Sequence, residues 1–208
     1  MYALAASAAG VSALALAGSA EAKIVYTPAH VVLGPRSSSE YHLDLNHDGV
    51  KDFTFAHLYS FSVTTGFWGS VVQMTPYKSD ANGVMGNRYA SALRAGVKVG
   101  PENHFSRGGI MAIAAGTGRS ANTHFYGVWA NGGKGLSNRY VGLEFAIKGK
   151  VHYGWARVSV SKFRFRATLT GYAYEIIPNK GIIAGKEHGP EDDAGQPAML
   201  GRLALGRK

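Results

Sequence analysis

Three features of this sequence predict an all-β fold, a two-layer antiparallel β-sandwich of jelly-roll character with long glycine-rich loops. Apolar and polar residues alternate over short runs, most regularly where Val141, Leu143, Phe145 and Ile147 share one parity, the period of a strand with one buried face. The 28 glycines among 208 residues are scattered through aromatic-rich segments with no collagen period, as a fold of many short strands and turns requires. No segment of comparable length carries helical periodicity, and no internal repeat is evident. With 46% hydrophobic residues, the chain can bury an ordinary core as one domain.

Taken in order, residues 1–22 are rich in Ala and Leu, uncharged until Glu21, and end Ala20-Glu21-Ala22. An apolar stretch closed by A-x-A reads as a secretory signal cut before Lys23, and it is too short and Ala-rich for a membrane span. Its n-region carries no Lys or Arg, which points to a truncated signal. The competing reading is an Ala-rich helix of the mature protein, which would need a partner for its apolar faces. Residues 23–185 read as the single sandwich domain and residues 186–208 as a mobile tail containing Gly and Pro.

Within the domain, short β segments are expected at 24–26, 31–33, 41–45 and 53–58, then at 61–72 with breaks at Gly66 and Gly69. Residues 79–87 and 99–109 read as loops, and 88–93 as a helical turn. Residues 110–115 are apolar enough for a buried strand. The GTGRS run at 116–120 lacks a Walker lysine and a dinucleotide fingerprint, so it reads as a turn. After 124–130 and a glycine loop at 131–135 come three consecutive antiparallel strands: 140–147, half-buried; 151–160; and, after a turn or bulge near Ser161, 163–175 with Phe163, Phe165, Ala167 and Leu169 inward.

The most chemically specific stretch is Tyr41 to Phe55, whose centre reads D-x-N-x-D-G-x-x-D at Asp44, Asn46, Asp48, Gly49 and Asp52. Calcium takes about six to eight oxygen ligands, and acids at alternate positions of a tight loop converge on one ion. Asp44, Asn46 and Asp48 would supply side-chain oxygens, Val50 its backbone carbonyl, and Asp52 a ligand either direct or through water. Three carboxylates within nine residues repel one another unless a cation lies between them. Phe55 stands where an EF-hand places its bidentate Glu, and the flanks alternate as strands do. The expectation is therefore strand, calcium loop, strand. The bland alternative, an Asp-Gly hairpin turn with solvated acids, accounts for Gly49 but not for Asp44, Asn46 and Asp52.

Charge narrows the partners. The formal net charge is +9, which favours acidic partners such as anionic polysaccharide. Six Lys or Arg and no acid lie between Phe145 and Tyr174, with Lys162, Arg164 and Arg166 alternating with Phe163 and Phe165. In a strand those cations share a face, either as a solvated face that discourages edge pairing or as an acidic-ligand surface. No helix-turn-helix, zinc finger or RRM signature supports nucleic acid. With no cysteine, disulfides, thiolate metal sites and cysteine nucleophiles are excluded.

Catalytic constellations are sparse, and the reading is of a protein that is not an enzyme. Of 13 acids, Glu144 and Glu175 fall on late strands and could form a glycosidase pair, though cross-strand partners are the commoner fate of such residues. The eight histidines show no H-E-x-x-H spacing and read as surface or strand-face residues, and no G-x-S-x-G elbow is present.

The Asp44–Asp52 loop resembles the short calcium loops of FG-GAP and thrombospondin type 3 repeats, which carry the ion without flanking helices. The blocks Tyr140-Val141-Gly142-Leu143-Glu144-Phe145, His152-Tyr153-Gly154-Trp155-Ala156-Arg157-Val158, Gly171-Tyr172-Ala173-Tyr174-Glu175 and Ile182-Ile183-Ala184-Gly185 resemble the last strands of bacterial secreted proteins sorted by PEP-CTERM signals. Pro197 to Gly206 is similar to the start of such a sorting segment, with Gly195-Gln196-Pro197 in place of Pro-Glu-Pro and Arg202 interrupting the apolar run. The resemblance implies export to the cell surface, exosortase-dependent sorting, and association with exopolysaccharide or biofilm matrix.

These observations lead to a non-catalytic, exported, calcium-stabilised surface or extracellular-matrix protein, with self-assembly into oligomers or filaments open. Two alternatives stand beside it. One is a lectin-like module for acidic glycans, using exposed Trp68, Trp129, Trp155 or tyrosines as a stacking platform. The other is a glycoside hydrolase using Glu144 and Glu175.

Overall fold

The structure, a computed structural model, describes residues 23–77, 81–118 and 122–189. The expected signal at 1–22, part of the GTGRS turn and the tail from residue 190 onward lie outside the described residues.

The described chain is a sandwich of antiparallel sheets. In chain order its strands are β1 (Ile24–Leu33), β2 (Ser39–Leu43), β3 (Phe53–Phe61), β4 (Phe67–Pro76), β5 (Gly83–Met85), β6 (Lys98–Val99), β7 (Phe105–Ser106), β8 (Ile110–Thr117), β9 (His124–Tyr126), β10 (Leu136–Ile147), β11 (Lys150–Val160), β12 (Ala167–Glu175) and β13 (Ile182–Ile183). One sheet has the order β1-β12-β11-β10-β5-β7, the other β2-β3-β4-β8-β9, and β13 pairs with β6.

The three late strands pair as expected: Leu143 faces Gly154 across β10 and β11, and Gly154 faces Tyr174 across β11 and β12. Alternation sends Val141, Leu143 and Phe145 inward, where they meet Phe53, Phe55 and Trp68 of the other sheet in the main core. The outer face of the first sheet is covered as well. Tyr140, Tyr153 and Trp155 pack there with Val99 of β6 and Ile182 of β13 in a second cluster. The expectation of a half-buried β10 is thus corrected, because a covering layer drawn from distant segments gives the strand a second buried face.

Several boundaries also differ from expectation. Residues 24–33 form one strand with a register shift between Pro28 and Val31, since a bulge lets pairing with β12 continue. The expected loops at 79–87 and 99–109 contain β5, β6 and β7, short strands completed by non-local partners. Residues 88–93 form no helical turn. Six residues cannot nucleate a helix alone, and Ala90 and Leu93 find extended partners in Gly86 and Tyr140. After β9 the chain makes a 3-10 segment, Val128–Gly133, that buries Trp129.

The largest departure is at residues 163–166, expected to open the strand 163–175 after a turn or bulge near Ser161. They form an irregular loop between β11 and β12, with Phe163 at φ 66° and Phe165 at φ 53°. Left-handed backbone at two bulky residues is uncommon and breaks the strand alternation. Ser161 closes the loop twice: its N–H donates to the Arg166 carbonyl at 2.8 Å and its Oγ accepts Arg166 N–H at 2.9 Å.

Candidate metal-binding loop and cationic cleft

The acidic loop closes the hairpin between β2 and β3. Leu43 and Phe53 end the ladder, and Asp52 N–H donates to the Leu43 carbonyl at 2.8 Å. Leu45, fully buried, fastens the loop to the core. Gly49, at φ 87°, takes the left-handed turn that glycine adopts without strain.

Within this frame the acids turn toward the loop's own backbone. Asp44 Oδ2 accepts Gly49 N–H at 2.8 Å and its Oδ1 accepts Asp48 N–H at 3.3 Å. Asp48 Oδ1 accepts Val50 N–H at 2.8 Å, while its Oδ2 accepts Asn46 Nδ2 at 2.9 Å. Asp52 is 5% exposed, and its Oδ2 accepts Leu45 N–H at 2.8 Å. Val50 is exposed.

Two features remain unbalanced in this loop. Burial pushes the Asp52 carboxyl up to about 6, with the charges of Asp44 and Asp48 adding to the rise and the hydrogen bonds from Leu45 and Asn82 opposing it. Asn46 Oδ1 is buried without a hydrogen-bond partner, which is costly for an amide oxygen. The field of the loop extends across the sandwich: burial raises the Tyr174 phenol, and Asp48, Asp44 and Asp52 raise it further. Among the described residues, no three Asp, Glu or His side chains are gathered closely enough to hold a metal ion between them. A carboxylate has about four lone-pair sites, so Asp44, Asp48 and Asp52 keep acceptor capacity beyond these N–H bonds. The oxygen set suits a hard cation.

The second site is a cleft of about 720 Å³ lined by Pro35, Arg36, Ser161, Lys162, Phe163, Arg164 and Arg166. No acid is among its described lining residues. The expected cationic strand face is therefore corrected to a cleft, because the loop at 161–166 curls beside the turn that carries Arg36. Arg164 lies over Trp68 at 4.7 Å from the ring centroid and over Phe163 at 5.8 Å, and its Nε is buried with no hydrogen-bond partner. Arg36 gives no signal in the sequence. It reaches the cleft only because β1 and β12 pair side by side.

Trp68, Trp129 and Trp155 are all fully buried. They cannot form the exposed stacking platform expected of them, since core and covering layer take all three. Of the histidines, His57 and His152 stand on the strands β3 and β11 with their side chains buried. His57 Nδ1 lies 3.0 Å from the Ser37 carbonyl and its Nε2 2.9 Å from Ser70 Oγ.

Glu144 faces Tyr153 across β10 and β11, and continuing the β11–β12 register sets Glu175 on the same outer face, one strand beyond. Burial raises the Glu144 carboxyl. Glu175 is fully buried, and its Oε1 accepts N–H bonds from Lys23 and Ile177, each at 3.1 Å.

No helix among the described residues is long and apolar enough to cross a membrane. Comparison with protein-family models, with curated proteins and with solved structures found no match to this chain.

Proposed function

We propose that this chain is a non-catalytic, exported surface or extracellular-matrix protein whose sandwich is stabilised by calcium at the loop of Asp44, Asn46, Asp48, Val50 and Asp52. What supports the calcium reading is the strain at Asp52, whose carboxyl is raised first by its burial and further by the charges of Asp44 and Asp48. A divalent cation would reverse the sign of that interaction. The unpaired Asn46 Oδ1 supports the same reading, as an oxygen available to such an ion. Export rests on the Ala20-Glu21-Ala22 motif and on the resemblance of the late strands to PEP-CTERM-sorted proteins.

A metal that binds only the folded form raises stability with its concentration, by about 2.7 kcal/mol at 100 times its Kd. Melting the protein in calcium and again in chelator tests this. Calcium is expected to raise Tm by roughly 5–10 °C, and Asp48→Ala to remove the difference. Melting that ignores the chelator would sink the calcium reading.

The cationic cleft favours a second reading, binding of an acidic glycan. Arg36, Lys162, Arg164 and Arg166 meet at one cleft beside the Phe163 ring, with no acid among the described lining residues. Guanidinium groups match carboxylates in two-point geometry, and an aromatic ring offers a face to a sugar.

A further inference from the structure

We propose that Glu175 is the built-in partner of an α-ammonium group created when the chain is cut between Ala22 and Lys23, so that maturation completes a part-buried ion pair. Glu175 sits at the end of β12 with no exposed surface. Its Oε1 accepts the backbone N–H groups of Lys23 and Ile177, each at 3.1 Å. Its Oε2 is buried and has no hydrogen-bond partner. Among the described residues no Lys, Arg or His side chain forms an ion pair with it. A carboxylate buried without a cation and with one oxygen unsatisfied is strongly unfavourable.

The α-amine freed by the cut supplies the missing charge. In the uncut chain Lys23 N is an amide with a single proton, already donated to Oε1. Hydrolysis of the Ala22–Lys23 bond by a signal-peptidase-type endopeptidase adds water across it. Ala22 leaves as a carboxylate, and Lys23 N takes up protons to become an ammonium with three N–H donors and a unit positive charge. That group already stands at hydrogen-bond distance from the carboxylate. The ladder holds it there, since Ile24 faces Glu175 in the β1–β12 register and Ile176 N–H donates to the Lys23 carbonyl at 3.1 Å.

The position is selective. A cut one residue earlier would carry the amine about 3.5 Å further along an extended chain, and a cut one residue later would remove Lys23. The A-x-A motif and the unsatisfied carboxylate therefore mark the same bond from independent directions. The inference rests on the export reading, but its physical core can be measured apart from it.

Three forms decide it: the chain starting at Lys23 with a free amine, the same chain with its α-amine acetylated, and the chain carrying one extra residue, Ala22. The free Lys23 form is expected to melt roughly 5–10 °C above the other two, and Glu175→Gln to bring all three together. Equal melting of the three forms with Glu175 intact would overturn the ion pair, even should Glu175→Gln fail to fold. N-terminal sequencing of the exported protein should read Lys23 first. Export with a different first residue overturns the maturation site, and an uncut chain kept inside the cell overturns the export reading with it. Correct cutting with indifferent N-termini overturns only the role of Glu175.

Discussion

Ser70 Oγ donates to the backbone carbonyl of Arg164 at 2.8 Å, so a buried hydroxyl on β4 holds the loop that carries most of the cleft's cations. His57 stands on the other side of that hydroxyl, at 2.9 Å, and faces the Ser37 carbonyl beyond it. The network joins β3, β4, the turn before β2 and the loop before β12. Removing a buried partner leaves the others unsatisfied. Ser70→Ala is expected to cost about 1–3 kcal/mol in urea unfolding. Wild-type stability in that variant would show that the network does not hold the loop.

The cleft itself can be probed with its exposed members. Arg36→Gln, Lys162→Gln and Arg166→Gln together should leave folding intact, because these three side chains face solvent. Their loss should weaken binding of an oligouronate by about tenfold or more and flatten its salt dependence. Calorimetric titration reads both effects. Equal affinity in the triple variant, or preference for single-stranded DNA over the uronate, would remove the acidic-glycan reading.

Asp52 gives the chelated protein a pH signature. With its carboxyl pushed up to about 6, the folded state keeps a proton that the unfolded chain releases near pH 4. Between those values the native state binds more protons, so stability falls as pH rises. In chelator, Tm should therefore drop from pH about 4 to about 6, and Asp52→Asn should flatten the drop. A chelated wild type whose Tm is level across that window would contradict the assigned strain.

Two glycines separate steric need from conformational need. A Cβ at Gly109 would lie 1.4 Å from the Met74 carbonyl oxygen, whereas one at Gly149 meets nothing within 4 Å. Gly109→Ala is therefore expected to cost several kcal/mol or to prevent folding. Gly149, at φ 76°, should cost only about 1 kcal/mol on the same change. Denaturant melts of both variants provide the comparison, and similar losses would show that backbone approach is not the cause.

Local chemistry made much of the fold legible. Period-two alternation located β10, and turn residues at Gly149 and Lys150 led into β11, because neighbouring strands joined by a tight turn need only local information. Residues 163–166 depart from the expected strand for a reason of the same kind. The alternation of Phe163, Phe165 and Ala167 is that of a strand, but tertiary hydrogen bonds to Ser70 and to the Gly133 carbonyl hold that segment in a loop. A polar pattern cannot report a bond whose partner lies far away in the chain.

What the sequence determined alone was therefore the all-β class, the D-x-N-x-D-G-x-x-D loop and the A-x-A motif before Lys23, since each depends on residues within a few positions of one another. Only the tertiary structure decided that the tryptophans are buried, that Arg36 joins Lys162, Arg164 and Arg166 around one cleft, and that Glu175 waits beside Lys23. Those outcomes depend on strand pairing and on layers closing over both faces of a sheet. Burial is a property of what covers a residue, and the covering residues here come from distant parts of the chain.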